Sequence, residues 1–173
     1  MKKILIAVII LAVIAVAAWM AYPLFVNKEV NESLDDFIST MDSEEPTDSE
    51  DSTSPEDDNQ PTVISSGTFE GRAGHAGTGT VNLIKSGSQT LLQFEGDFDI
   101  TNGPDLFVHL GTGDEYSKEA QIEKLKGNRG EQIYVIPDSI NVEDFDEVWV
   151  WCRAFSVPFV KATLAPVEDS AAE

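Results

Sequence analysis

At 173 residues, 42% of them hydrophobic and 24% charged, the chain is long enough for one domain with its own core and flanking segments. Its 31 acidic against 11 basic side chains give a formal net charge of −20, and no basic patch is left to neutralise phosphates, so nucleic acid is excluded as a partner. The single cysteine, Cys152, excludes an internal disulfide.

The first predicted element is apolar. Lys2 and Lys3 precede an uncharged run over 4–26, 23 residues in all. At about 1.5 Å per residue such a helix is long enough for a hydrocarbon core of roughly 30 Å. The pattern predicts a transmembrane signal-anchor over 1–26, the two lysines keeping the N-terminal end cytoplasmic and Trp19 and Tyr22 lying near the outer interface. A cleavable signal peptide ending at Ala15-Val16-Ala17 is the rival reading, although its apolar core usually runs only about 7–15 residues. Both readings put the remainder outside the cytoplasm. The expected location is therefore a cell membrane, single-pass, with the C-terminal domain extracytoplasmic.

Composition then shifts. Residues 27–66 hold thirteen acidic residues against Lys28 alone, interrupted by Pro46, Pro55 and Pro61. Few apolar groups and strong self-repulsion predict a disordered acidic linker, which as a neutral flexible chain would span roughly 35 Å. Within it, Val30, Leu34, Phe37, Ile38 and Met41 are spaced for one or two amphipathic helical turns. A short acidic tail, 165–173, is expected to fray.

Between these lies a β domain over 67–164. Strands are predicted over 68–70, 79–84, 90–94, 106–110, 121–125, 132–136, 147–155 and 159–164, from period-two alternation and β-branched or aromatic content. Lys85-Ser86-Gly87-Ser88 reads as a hairpin turn. Asn102-Gly103-Pro104, Gly111-Thr112-Gly113 and Gly127-Asn128-Arg129-Gly130 supply further breaks. Only 138–144 suits a helical turn. Many short strands without a long helical period predict an all-β domain, an antiparallel β-sandwich or partly closed barrel, preceded by the transmembrane helix and the tether.

The strand around Cys152 is apolar on both faces. Val148, Val150, Cys152 and Ala154 share one side, while Trp149, Trp151, Arg153 and Phe155 share the other. That predicts a central, doubly covered strand. Its thiol is a small core residue, a ligand, a redox thiol or a link to another chain. Reactivity requires exposure and a positive neighbour, and Arg153 points to the opposite face. His75 and His109 are the histidines available beside it, because Met1, Met20 and Met41 lie outside the β domain. No Cys-x-x-Cys-His occurs, which excludes covalent haem. Noncovalent haem, or a copper centre built on Cys152, His75 and His109, matches the donor count; the metal itself is unspecified. Asp97, Asp99 and Asp105 resemble a calcium loop only in part, since Asn102 and Val108 stand where such a loop needs Gly and Glu. Two histidines and no Gly-x-Ser-x-Gly give a hydrolytic triad no support.

Four motifs in order carry a resemblance: Asn102-Gly103-Pro104-Asp105-Leu106, Leu125-Lys126-Gly127, Tyr134-Val135-Ile136-Pro137 and Trp151-Cys152-Arg153-Ala154-Phe155-Ser156-Val157. With them, 67–164 resembles the DM-thirteen domain family, also called the electron transfer DM-thirteen domain. The resemblance implies a redox or electron-transfer role centred on Cys152, with His75, in Gly74-His75-Ala76-Gly77-Thr78-Gly79, and then His109 as its companions. It implies a redox or cell-surface protein as partner, and an electron-transfer or binding module rather than a stand-alone enzyme. The alternative is a non-catalytic surface-binding or scaffolding β domain with a structural cysteine. Val160 stands where the family commonly has glycine, and 122–127 lacks a glycine before Lys124. Either change could close space next to a bound group.

Overall fold

The computed structural model describes residues 2–21, 26–42 and 60–167. Two helices, α1 (Lys2–Ala21) and α2 (Leu34–Asp42), precede eleven strands: β1 (Thr62–Gly71), β2 (Gly77–Thr78), β3 (Thr80–Ser86), β4 (Gln89–Phe94), β5 (Asp99–Ile100), β6 (Leu106–Thr112), β7 (Glu115–Lys124), β8 (Gln132–Val135), β9 (Glu147–Cys152), β10 (Val157–Thr163) and β11 (Ala165–Pro166). Nine of the strands form one antiparallel sheet in the order β7-β6-β9-β10-β1-β3-β4-β8, with β11 on β1. The two-residue strands β2 and β5 pair separately.

One strand turns this sheet into a half-barrel. β1 pairs with β3 from Thr62 to Thr68 and then with β10 from Phe69 to Gly71. Changing partners along its length folds the β7-β6-β9-β10 half over the β3-β4-β8 half, and the inward residues of both halves fill the space between. Phe69, Phe94 and Phe98 meet at the centre, with ring centroids 4.8 to 5.2 Å apart. Such tilted and edge contacts add about 0.5–1.5 kcal/mol each beyond area burial. The all-β sandwich or partly closed barrel expected from alternation is thus the architecture observed.

Details depart from the sequence expectation. The sixth and seventh strands form a hairpin through Gly113 and Asp114, at φ 64° and 66°, the left-handed pair that a two-residue turn needs to match strand twist. β7 therefore begins at Glu115, well before the expected 121, its polar residues lying on the sheet edge. The strand through Cys152 stops there: 153–156 is a turn with Ser156 at φ 53°, and Ala154 and Phe155 are exposed rather than packed. The expected helical turn is a short 3-10 turn, Val142–Asp144.

The N-terminal expectation is corrected. Among the described residues no helix is long and apolar enough to cross a membrane. The single-pass anchor, the cell-membrane location and the extracytoplasmic placement that depended on it fall with this finding.

The acidic segment is also more structured than a tether over its described part; 43–59 and 168–173 lie outside the described residues. Residues 26–42 form a strap on the domain. The Val30 amide donates to Arg129 O at 3.0 Å and the Glu32 amide to Glu131 O at 3.1 Å, while the Arg129 amide donates to Lys28 O. The Glu32 carboxylate accepts from Lys126 Nζ at 2.8 Å and from the Ile133 amide at 2.8 Å. Helix α2 then lays Leu34, Phe37, Ile38 and Met41 over the buried trio Ile84, Leu91 and Ile133 on the back of the sheet. Gly130, at φ 83°, has room for no side chain: a Cβ there would meet Val30 O. Charge set the expectation of disorder, but the i, i+3, i+4, i+7 apolar spacing prevails because it finds a complementary patch.

Truncating Phe37 removes a half-buried ring, so Phe37→Ala is expected to lower unfolding free energy by about 1–2 kcal/mol. Phe155→Ala, at a ring 66% exposed, is expected to stay within about 0.5 kcal/mol. Urea midpoints of the full chain check both.

Candidate functional site

Strand β9 sits between β6 and β10. Leu106 to Gly111 pair with Cys152 to Glu147 on one side. On the other, Val157 to Thr163 pair with Cys152 to Glu147, with a bulge between Pro158 and Val160. Being hydrogen-bonded on both edges, β9 has no freedom to slip, and its alternation is enforced. Val148, Val150 and Cys152 are all fully buried in the core cluster. The Cys152 thiol has Leu106 and Val157 as its cross-strand neighbours.

His109 does not converge on it as the donor count suggested. His109 is paired with Trp149 and stands on the outer face of the same sheet, opposite the face that holds Cys152. Its Nδ1 lies 3.0 Å from Ser117 O, and its ring meets the edge of Tyr116 at 5.2 Å. Burial depresses its pKa below the ordinary value, partly offset by the bond to the Ser117 carbonyl. His75 lies in the loop between β1 and β2, its ring stacked on Phe159 at 3.7 Å and 13°. The bulge in β10 turns both Phe159 and Val160 inward, which is what brings Phe159 under His75. Cys152 and His109 face opposite ways from one sheet, so a copper centre using both does not fit this arrangement. Among the described residues no three His, Cys, Asp or Glu side chains are grouped for a metal ion. The aspartates of the loop-like motif are also divided: Asp97 accepts from Thr80 and Asp99 from Arg129, while Asp105 accepts from Arg153. Val160 fills the space a glycine would leave, since a Cβ at Gly77 would strike its Cγ1.

The outer face carries groups that the sequence reading did not assign to a site. Tyr116 stacks on Trp151 at 3.9 Å and 22°, both half-buried, and the Arg153 guanidinium lies 4.3 Å over Phe107. Beside them, Glu147 Oε1 accepts from Lys161 Nζ at 2.8 Å, and its Oε2 accepts from Trp149 Nε1 at 3.0 Å. Lys161 also reaches Asp114 at 2.8 Å. Burial alone would lower the Lys161 pKa, but hydrogen bonds to Asp114 and Glu147 reverse that and raise it. The alternation of Trp149 and Trp151 with Cys152 hinted at this face. Tyr116 and Asp114 left no signal, because the β6–β7 hairpin that delivers them was not anticipated.

A half-barrel with one sulfur sealed inside a central strand, and an aromatic row outside it, defines a compact antiparallel β domain with a single buried thiol. The family model of the electron transfer DM13 domain matches residues 68–164, more than half of the chain, and the chain belongs to that family. No curated protein and no solved structure matches the chain.

Two outcomes follow from the outer face. Lys161→Met strands the Glu147 carboxylate, which is 4% exposed, without its cation; removal of one member of a buried pair costs about 3–5 kcal/mol. Thermal and urea unfolding of the variant check this. His109 is neutral in the folded chain at a pH where the unfolded chain, with an ordinary value of 6.5, begins to take up a proton. Its contribution to stability is thus whole above 6.5 and declines as pH falls from there through the depressed folded value. Unfolding free energy measured at pH 7.5 and 5.5 is expected to drop, and His109→Gln is expected to flatten that part of the slope.

Proposed function

We propose that this domain takes part in electron transfer, with Cys152 as a redox group kept away from solvent. The family match supports the role, and one observation carries the assignment: the only sulfur within 68–164 has no solvent exposure yet is one residue from a half-exposed indole. Full burial withholds the access that a nucleophile toward bulky reagents needs. Trp151, next to Cys152 in the chain, has its ring on the outer face against Tyr116, and this row is the natural docking point for a redox protein partner. His75 and His109 belong to the scaffold of the site in this reading, and no step is assigned to haem or copper.

The same burial favours a second reading, a non-catalytic surface-binding or scaffolding β domain in which Cys152 is packing alone. Free cysteine often serves as a small hydrophobe. The two readings part on one comparison. Optical spectra, elemental analysis and protein-film voltammetry are recorded for the full chain and for Cys152→Ala. Electron transfer centred on Cys152 is expected to give a redox wave or visible band that the variant loses while its near-ultraviolet dichroism is kept. A colourless, electrochemically silent parent chain overturns the proposal and leaves the scaffolding reading.

A further inference from the structure

A cleft of about 730 Å³ opens where the strap crosses the domain, between the Asn102-Gly103-Pro104 turn and the loop 124–128. That volume lies within the roughly 300–1,000 Å³ usual for small-molecule sites. Its apolar surface comes from Val26, Pro104, Leu106 and Leu125. Three of the chain's 11 basic residues, Lys28, Lys124 and Lys126, line it, and no carboxylate is among the lining residues. In a chain of net charge −20 that local sign is the reverse of the whole.

The three ammonium groups differ in how far they are already satisfied. Lys126 is held by Glu32 at 2.8 Å. Lys124 only grazes Asp105, at 4.0 Å with its side chain 64% exposed. Lys28 forms no ion pair among the described residues, although its backbone is pinned by the Asn128 side chain at 2.7 Å. The walls are equally fixed. Asn102 Nδ2 donates to Val26 O at 2.7 Å, and Asn128 Nδ2 to Asn27 Oδ1 at 3.0 Å. A Cβ at Gly127 would meet Lys28 O at 2.5 Å, and one at Gly103 would meet Phe159 and Leu106. Strap and loop therefore approach at Gly127 with no side chain between them, leaving an apolar floor with Lys28 and Lys124 incompletely paired at its rim.

From this juxtaposition we infer that the cleft is a binding site for a small organic anion, a carboxylate on a ring-sized apolar body, with Lys28 and Lys124 facing its charge. The site is independent of the electron-transfer reading and is shared between the strap and the family-matched domain. Amide-resolved nuclear magnetic resonance of the full chain, titrated with 2-naphthoate and separately with neutral 2-naphthamide, tests it. The expected result is saturable shifts centred on Gly103, Leu125, Gly127 and Asn128, with the carboxylate at least fivefold tighter. Lys28→Glu combined with Lys124→Glu, both at the rim, is expected to abolish that preference while leaving the rest of the spectrum in place. Equal affinity for the two probes, shifts confined to other regions, or no saturation at millimolar probe would each overturn the inference.

Discussion

The rest of the structure depends on the confinement of β9. Because it is hydrogen-bonded along both edges, a one-residue slip would exchange its two faces, turning Glu147, Trp149 and Trp151 toward the core and Val148, Val150 and Cys152 toward the outer face. The register on β6 and β10 prevents that. It assigns the thiol to the core and the indoles to the outer face, and it places Glu147 where Lys161 and the Trp149 indole can satisfy it. Core, ion network and aromatic row are three consequences of one alternation.

That alternation also sets the chemistry available. A fully buried thiol is out of reach of bulky reagents, while the charged and aromatic groups collect one residue away on the other side of the sheet. The histidines do not alter this. His109 shares the outer face with Tyr116, and His75 is taken up by Phe159.

Much of this was legible in the residues. The two-faced apolarity of 148–152 foretold a central strand, and period-two alternation over 106–110 sets Phe107 and His109 opposite Leu106, Val108 and Leu110. What could not be read was long-range. The stack of His75 on Phe159 depends on a bulge in β10, which no local pattern announces. The start of β7 at Glu115 was hidden by the polar residues of an edge strand, whose exposed side chains give no period. Length and charge misled at the N-terminal end. A run of uncharged residues was counted as a span, and thirteen carboxylates outweighed the amphipathic spacing of Leu34, Phe37, Ile38 and Met41, which forms α2. Their partner patch, Ile84, Leu91 and Ile133, lies some fifty to a hundred residues away and becomes one surface only after β3, β4 and β8 pair.

The sealed state of Cys152 is the central claim, and thiol labelling of the full chain in a urea series measures it most directly. Modification is expected to occur only through unfolding, so that in the absence of urea it runs on the order of 10³-fold or more below a free thiol and its rate rises with the unfolded fraction. A native chain whose cysteine reacts within tenfold of a free thiol, with no dependence on urea below the transition, would contradict the account.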